Sequence, residues 1–240
     1  MLLIGGTGNV GGATARLLAG KHDVRVLTRS PEKARSQPRG ITGVVGDLAD
    51  PASLTEPLEG IERVFMVTPL VPDETELGLN GVKAAVEAAI PRMVYMSVFQ
   101  ADSAPEIPHF ASKVPIERGL ATSGIPYTIL RPNSFFQNDL RLLDVLRNAG
   151  VYPEPVGPGI NRVDVEDIAQ AAVNALTLDG FEGRTLPVSG PEALTGSKIA
   201  EVWSKALGRP VRYTGDDLDG YCGQLKANLP ESLARDLCLM

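Results

Sequence analysis

The residues whose types and spacing can do chemistry begin at the first position. Met1 to Gly12 reads MLLIGGTGNVGG, in which Gly6, Gly8 and Gly11 fit GxGxxG and Gly5, Gly8 and Gly11 fit the overlapping GxxGxxG. Four apolar residues lead in, and Ala13 to Ala19 repeats apolar residues at helical spacing, so the glycines fall between a strand and a helix. A dinucleotide-binding fingerprint requires that setting. Glycine permits positive φ in the turn and lets the backbone approach a pyrophosphate with no Cβ in the way. The phosphates then lie against amide N–H groups at a helix N-terminus, where the dipole favours negative charge. Gly5, Thr7, Gly8, Asn9, Val10 and Gly11 are the candidate contacts. A glycine-rich turn that binds nothing is the alternative, and the strand–loop–helix order argues against it.

Further candidates lie where strands end. Arg29 closes a strand over Asp23 to Thr28, roughly 18 residues beyond Gly11. An NAD-specific fold places an acid roughly 20 residues after the glycines, to bond the ribose 2′-hydroxyl. Here Arg29, with Ser30 and Lys33, offers charge-assisted donors to a 2′-phosphate instead. NADP(H) is the preferred cofactor and NAD(H) the second option; a solvated surface arginine is the competing reading. Val67, Thr68 and Pro69 end a strand over Ile61 to Thr68, and the C-terminal ends of parallel strands face the ligand. Ser97 ends a strand over Arg92 to Ser97. It sits beside the nicotinamide if the sheet is doubly wound, or simply bonds to backbone.

These residues need a scaffold, and the chain supplies one by alternation. After a third strand over Gly43 to Leu48 come a helix over Pro51 to Leu58 and a mainly helical stretch over Asp73 to Ile90, with Leu79, Val82, Val86 and Ala89 on one face. Residues 100–112 read as a loop, a helix starts at Lys113, and Ile125 to Arg131 is a sixth strand. Gly150 to Gly159 is too rich in proline and glycine for regular structure. A short strand and helix over Val163 to Leu176 follow, with Asp167 as a cap. Thr185 to Ser189 is another strand. Thr195 to Leu207 is a helix with Ile199, Val202, Trp203 and Ala206 on one face. The last thirty residues are weakly patterned. Strand–helix alternation behind a glycine loop predicts an α/β fold, a doubly wound parallel Rossmann sheet with a small C-terminal substrate lobe. Residues 1–132, with 163–189 returning, form the core; 133–162 and 190–240 form the lobe.

Composition narrows the function classes. The chain has 240 residues, a net charge of −6 and 43% hydrophobic residues. No basic patch marks a nucleic-acid partner. Cys222 and Cys238 lack metal spacing and read as free thiols in a reducing compartment. Met1 opens the first strand, which leaves no room for a signal peptide, and no apolar run reaches membrane-spanning length. The expectation is a cytoplasmic protein with no membrane partner and no metal. Asp164, Glu166 and Asp167 are explained by one helix start. An apolar helix face also offers a homodimer contact, which periodicity does not separate from core.

Longer strings add a resemblance. GGTGNVGG, the VYMSV strand end, HFASKVPIERGLATSGIPYTILRPNSFFQN, VDVEDIAQAA and VSGPEALTGSKIAEVWSKALGRPVRY resemble the NmrA-like group of atypical short-chain dehydrogenase/reductases. The resemblance spans Met1 to about Tyr213. It implies an NAD(P)-binding Rossmann domain whose C-terminal lobe closes over a substrate cleft, in a family of quinone and dye reductases and of dinucleotide-sensing regulators. It also implies that the Asp47-Leu48 pair contacts adenine, against the plainer reading of Asp47 as a helix cap. Two departures stand out. Tyrosine-dependent members carry YxxxK, whereas here His109 and Lys113 hold those places, and Tyr95, Tyr127 and Tyr152 lie elsewhere. The chain also stops at Met240, where such relatives run on.

A missing tyrosine changes the expected chemistry. A simple ketone becomes a strongly basic alkoxide, for which a proton donor is worth about 10²–10⁴ in rate. A quinone or conjugated cation yields a stabilised anion or a neutral product and needs less help. Lys113 is assigned to the nicotinamide ribose and to developing negative charge, and His109 to proton donation. A solvated lysine and a surface-loop histidine are the respective alternatives. Phe99, Asn133, Phe135 and Phe136 are candidates to contact a planar conjugated substrate, the phenylalanines by ring stacking, with Gln137 and Asn138 beside them. The leading function is an NADPH-dependent reductase of a small conjugated acceptor such as a quinone or dye. The alternative is a NADP(H)-sensing regulator without turnover; a dinucleotide-binding subunit or isomerase comes third.

Overall fold

A computed structural model describes residues 1–239. It divides into two compact units, Met1–Pro132 with Val165–Val188, and Asn133–Asp164 with Ser189 onward. In the first unit seven parallel strands form one sheet: β1 (Leu2–Ile4), β2 (Arg25–Thr28), β3 (Thr42–Val45), β4 (Arg63–Val67), β5 (Arg92–Met96), β6 (Tyr127–Pro132) and β8 (Arg184–Val188). Their order is β3-β2-β1-β4-β5-β6-β8. The chain moves outward in opposite directions from β1 and β4, so the topological switch point lies between them. Ligands of open α/β sheets bind beyond the carboxyl ends of the strands at that place. β1 is buried throughout and pairs Leu2 with Arg25 on one side and Val64 on the other. A strand covered on both faces reads as an unbroken apolar run, which LLI is.

The helices that carry the site are α1 (Asn9–Leu18), α4 (Glu74–Glu87) and α5 (Pro108–Ala121). Between them come the short α2 (Pro31–Arg35), started by the Ser30 hydroxyl, which accepts from Lys33 N, and α3 (Thr55–Leu58). Proline splits the helix expected over 51–58. Pro51–Leu54 forms a 3-10 turn and only Thr55–Leu58 is α-helical.

α4 buries a different face from the one its large apolar residues predict. Leu77, Gly78, Gly81, Val82, Ala84 and Ala85 are buried, while Leu79 and Val86 are exposed. Small residues decide the face. A Cβ on Gly81 would lie 2.6 Å from Met66 Sδ, and one on Gly78 would run into Ile116 of α5, so the glycines let both neighbours approach.

α5 starts five residues earlier than expected, at Pro108, where a proline lacks nothing because the first-turn N–H groups have no intrahelical partner. His109 therefore lies in a helix's first turn rather than in a loop. α7 (Val165–Thr177) starts without a preceding strand; Val163 makes only an isolated bridge to Phe135, and Asp167 sits in the first turn instead of capping it.

The second unit is built on α6 (Leu143–Asn148), β7 (Val151–Tyr152), α8 (Gly196–Leu207), β9 (Arg212–Tyr213), α9 (Leu218–Asn228) and α10 (Glu231–Leu239). β7 lies inside the stretch that proline and glycine mark as irregular. It is two residues long and pairs in parallel with β9. Leu142, Leu146, Tyr152, Ile199, Ala200 and Val211 form the core, with Trp203 packed against it, while Val202 is exposed. The weakly patterned C-terminal residues form the α9–α10 pair. Cys222 and Cys238, expected as free thiols, are joined by a disulfide, because the turn between these helices brings the two Cα atoms within 5.5 Å. Among the described residues no helix is long and apolar enough to cross a membrane.

Candidate active site

The glycine turn works as its spacing requires. Gly5 has φ +78° and its carbonyl accepts from Gly8 N at 3.0 Å. A Cβ on Gly5 would lie 2.5 Å from the Val67 carbonyl, and one on Gly11 would collide with the Gly5 carbonyl. Gly8 is different, since its added Cβ would meet only Gly5 O, at an ordinary 3.4 Å. It is also the N-cap of α1 and contributes no capping side chain. The first-turn amides of α1, on Asn9, Val10 and Gly11, therefore face outward as unsatisfied donors do at any helix start. This is a cradle that fits a diphosphate.

Arg29 and Lys33 are exposed beyond the end of β2. The Ser30 lone pair used for capping leaves its hydrogen for a second acceptor. Asp47 caps no helix. Its Oδ1 accepts from Ala49 N at 3.0 Å in a tight turn, while the Leu48 side chain belongs to the core and its carbonyl accepts from Asn80. Ser97 N donates to Leu130 O, but Ser97 Oγ is buried with no hydrogen-bond partner. A hydroxyl so placed does not match the backbone-bonded reading and is suited to a ligand group.

The chemistry gathers around a residue that the sequence reading missed. Glu74, at the start of α4, is 0% exposed. Its Oε1 accepts from Thr68 Oγ1 at 2.6 Å and pairs with Lys113 Nζ at 2.6 Å. Its Oε2 accepts from Ser112 Oγ at 2.6 Å and lies 3.0 Å from His109 Nδ1. Lys113, 2% exposed, also donates to Thr68 Oγ1 at 2.9 Å. The Thr68 hydrogen is used by Glu74, so in the 3.3 Å contact between Thr68 and Tyr95 the phenol is the donor.

Lys113 is thus a buried ion-pair partner rather than a solvated lysine, and His109, whose side chain is 19% exposed, is tethered to a carboxylate. His109 and Lys113 lie four apart on one helix, hence on one face. The signal that could have found Glu74 is its register. It falls three and four residues before the buried Leu77 and Gly78, but stands among Asp73 and Glu76 like a solvated helix start.

Electrostatics fixes the protonation of the hub. Burial disfavours the Glu74 anion, yet the hydrogen bond with His109 and the charge of Lys113 outweigh it, and the carboxyl is held down to about 2. Burial draws the Lys113 ammonium below its ordinary value, opposed by Glu74. Burial pushes the Tyr95 phenol far above its ordinary value, so this tyrosine holds its proton.

The remaining candidates are placed as follows. Phe99 is half-buried just after β5, and its N donates to Pro132 O. In the second unit Asn133 Oδ1 accepts from Ser134 N at 2.8 Å, Phe135 bridges to Val163, and Phe136 is 43% exposed. Gln137 donates to Asp164 and Asn138 to Ser134. Glu166, from the acidic helix start, pairs with Arg16.

A parallel sheet with a glycine cradle after its first strand, at the switch point, defines the class: a Rossmann-type dinucleotide-binding protein. The model of the NmrA-like family matches residues 1–238, and the chain belongs to that family. It is 36% identical over 240 residues to the NAD(P)H azoreductase of Xenophilus azovorans, covering 98% of this chain and 83% of the relative. The NADPH-dependent quinone oxidoreductase of Escherichia coli, solved with NADPH, matches with a TM-score of 0.88 at 28% identity, over 100% of this chain and 87% of that one. The triphenylmethane reductase of Citrobacter sp., solved with NADP(H), gives a TM-score of 0.86 at 25% identity, over 99% and 89%.

Proposed function

We propose that the chain is an NADPH-dependent oxidoreductase that reduces a small conjugated acceptor such as a quinone or dye, with NADH as the weaker donor. Its relatives support the class, since they are named as azoreductase, quinone oxidoreductase and triphenylmethane reductase. One observation carries the acceptor type. The place of the family's acidic tyrosine is held by His109, and the tyrosine that does reach the cluster, Tyr95, is buried and holds its proton. With no phenol to acidify, the site suits acceptors whose reduced form is a stabilised anion or needs no proton at once.

When bound, NADPH supplies the hydride. The protein's part is to hold both reactants and handle the proton. The Gly5–Gly11 turn, including Thr7 and the amides of Asn9 and Val10, receives the diphosphate. Arg29 and Lys33 bind the 2′-phosphate. Asp47 Oδ2 accepts from the adenine amino group, with the Leu48 backbone beside it. Val67, Thr68 and Pro69 are assigned to the crevice and Ser97, whose buried hydroxyl has no partner, to the nicotinamide end. Lys113 has a third N–H beyond those used by Glu74 and Thr68, and offers it to the nicotinamide ribose. Phe99, Asn133, Phe135 and Phe136 are assigned to the acceptor, and His109 donates the proton.

We also propose a homodimer that covers the exposed Leu79 and Val86, seven apart on α4, and the cytoplasm as its compartment if the Cys222–Cys238 pair is reduced in cells. The Cys222–Cys238 bond is a feature of oxidising compartments, so mass analysis of thiol-blocked protein taken directly from cells decides the compartment, and sedimentation decides the dimer. The function is tested by following NADPH oxidation, by absorbance, against a panel of quinones, cationic dyes and enones, with Lys113→Ala as control. Turnover that Lys113→Ala loses supports the reading. NADPH binding with no turnover on any acceptor replaces it with the regulator.

A further inference from the structure

We infer that Glu74 is a positioning residue of the reaction: it fixes His109 as the Nδ1–H tautomer, so that every proton His109 exchanges with the acceptor passes through Nε2. The inference rests on the reading of His109 as the proton donor, and goes beyond it by naming the atom and what orients it.

The argument is one of counting donors and acceptors. A carboxylate has no hydrogen to give, so each polar group that touches it must donate. Thr68 and Lys113 do so at 2.6 Å each, and Ser112 also at 2.6 Å, its one hydrogen shared with the His109 carbonyl at 2.8 Å. His109 Nδ1 at 3.0 Å completes the set, and only an Nδ1–H makes that contact favourable. Glu74 stays ionised because Lys113 sits against its other oxygen inside the same buried cluster. The ammonium of Lys113 thus acts twice, as a donor and as the charge that keeps the tether anionic. Ion pairing and burial also lock the Glu74 rotamer, so the ring plane of His109 is set by a group that cannot turn.

The consequence for the reaction follows with balanced atoms. Bound NADPH would supply the hydride, two electrons and one hydrogen, ending as NADP⁺ and leaving a neutral acceptor as an anion. Imidazolium His109 transfers its Nε2 proton to that anion, forming the neutral reduced product. It is left with its Nδ1–H still on Glu74, and solvent restores the Nε2 proton. One NADPH and one proton are consumed per two-electron reduction. A histidine oriented by a carboxylate is used elsewhere for the same reason, since the carboxylate selects the tautomer and stabilises the imidazolium.

The chain has two histidines, His22 and His109, so nitrogen NMR of histidine-labelled protein resolves the ring directly, with His22→Gln giving the assignment. In the wild type the neutral His109 ring shows a protonated Nδ1 and an unprotonated Nε2. A ring protonated mainly at Nε2 overturns the inference, with no variant needed. In Glu74→Gln the tautomer balance moves towards Nε2–H and kcat falls about 10–100-fold; the tautomer shift is the readout that a mere displacement of Lys113 would not produce. Retention of both the tautomer and kcat in that variant also overturns it. If His109→Gln turns over like the wild type while the wild-type tautomer is as expected, the proton-donor reading fails and the tether stands. The two failures are therefore distinguishable.

Discussion

Glu74 Oε1 and Lys113 Nζ meet at 2.6 Å in a site where both side chains are at most 3% exposed. A pair so placed is costly to halve. Removing one partner of a buried pair leaves an uncompensated charge and typically costs about 3–5 kcal/mol, whereas replacing both with apolar groups of similar volume is often close to neutral. Lys113→Met alone is therefore expected to lower stability by about 3–5 kcal/mol. Glu74→Leu with Lys113→Met should lose clearly less than the sum of the singles, read from urea midpoints. Additive losses would show that the two groups do not act as a pair.

Stability should also depend on acid pH through the same carboxyl. Its folded pKa is about 2, against an ordinary 4.5. A depressed folded pKa means that the unfolded chain takes up the proton first, so acid favours unfolding. The contribution is fully present above about 4.5 and is lost as pH falls towards about 2. Denaturation midpoints measured across that window should fall more steeply for the wild type than for Glu74→Gln. Parallel curves would remove Glu74 from the acid transition.

These two expectations concern a residue that sequence patterning passed over, and the reason is physical. Periodicity detects a buried face by its large apolar side chains, and on α4 two of the largest, Leu79 and Val86, are on the outside. The buried face is set by Gly78 and Gly81, whose value lies in what they allow Ile116 and Met66 to do. A buried acid on a face made largely of glycine and alanine leaves only its register as a signal, and Glu74 shares its helix start with the acids Asp73 and Glu76. The glycine cradle was legible because its geometry is local: a turn, a positive φ and a helix start all within a dozen residues. The doubly wound order was legible from alternation. The Cys222–Cys238 bond was not, since it depends on how α9 and α10 fold against each other. His109 was read in the wrong element, because a loop rich in proline hides a proline that starts a helix.

Cofactor choice gives a sharper test of what β2 presents. Arg29 is exposed at its end, where an NAD-specific fold carries an acid for the free 2′-hydroxyl. Hydrogen bonds to charged groups contribute about 1.5–3 kcal/mol, roughly 10–100-fold in Kd. Arg29→Ala is expected to weaken NADPH binding by that factor and leave NADH nearly unchanged, measured by calorimetric titration. Arg29→Asp should go further by repelling the phosphate. Equal losses for both dinucleotides would mean that Arg29 does not contact the 2′-phosphate.

The glycine cradle makes two similar substitutions behave differently. A Cβ on Gly11 would collide with the backbone carbonyl of Gly5, and neither can move without opening the turn. Gly11→Ala is therefore expected to destabilise the fold by about 1–3 kcal/mol, the cost of overpacking, and to lose NADPH binding with it. A Cβ on Gly8 would make only an ordinary 3.4 Å contact with Gly5 O, in backbone that is extended and unstrained. Gly8→Ala should accordingly keep its stability within about 0.5 kcal/mol. What it changes is the approach of a phosphate to the first-turn amides of α1, so its NADPH affinity should fall at least tenfold. Thermal unfolding in the absence of cofactor, set beside titration with NADPH, separates the two. If Gly8→Ala binds NADPH as well as the wild type, the diphosphate does not lie against that cap.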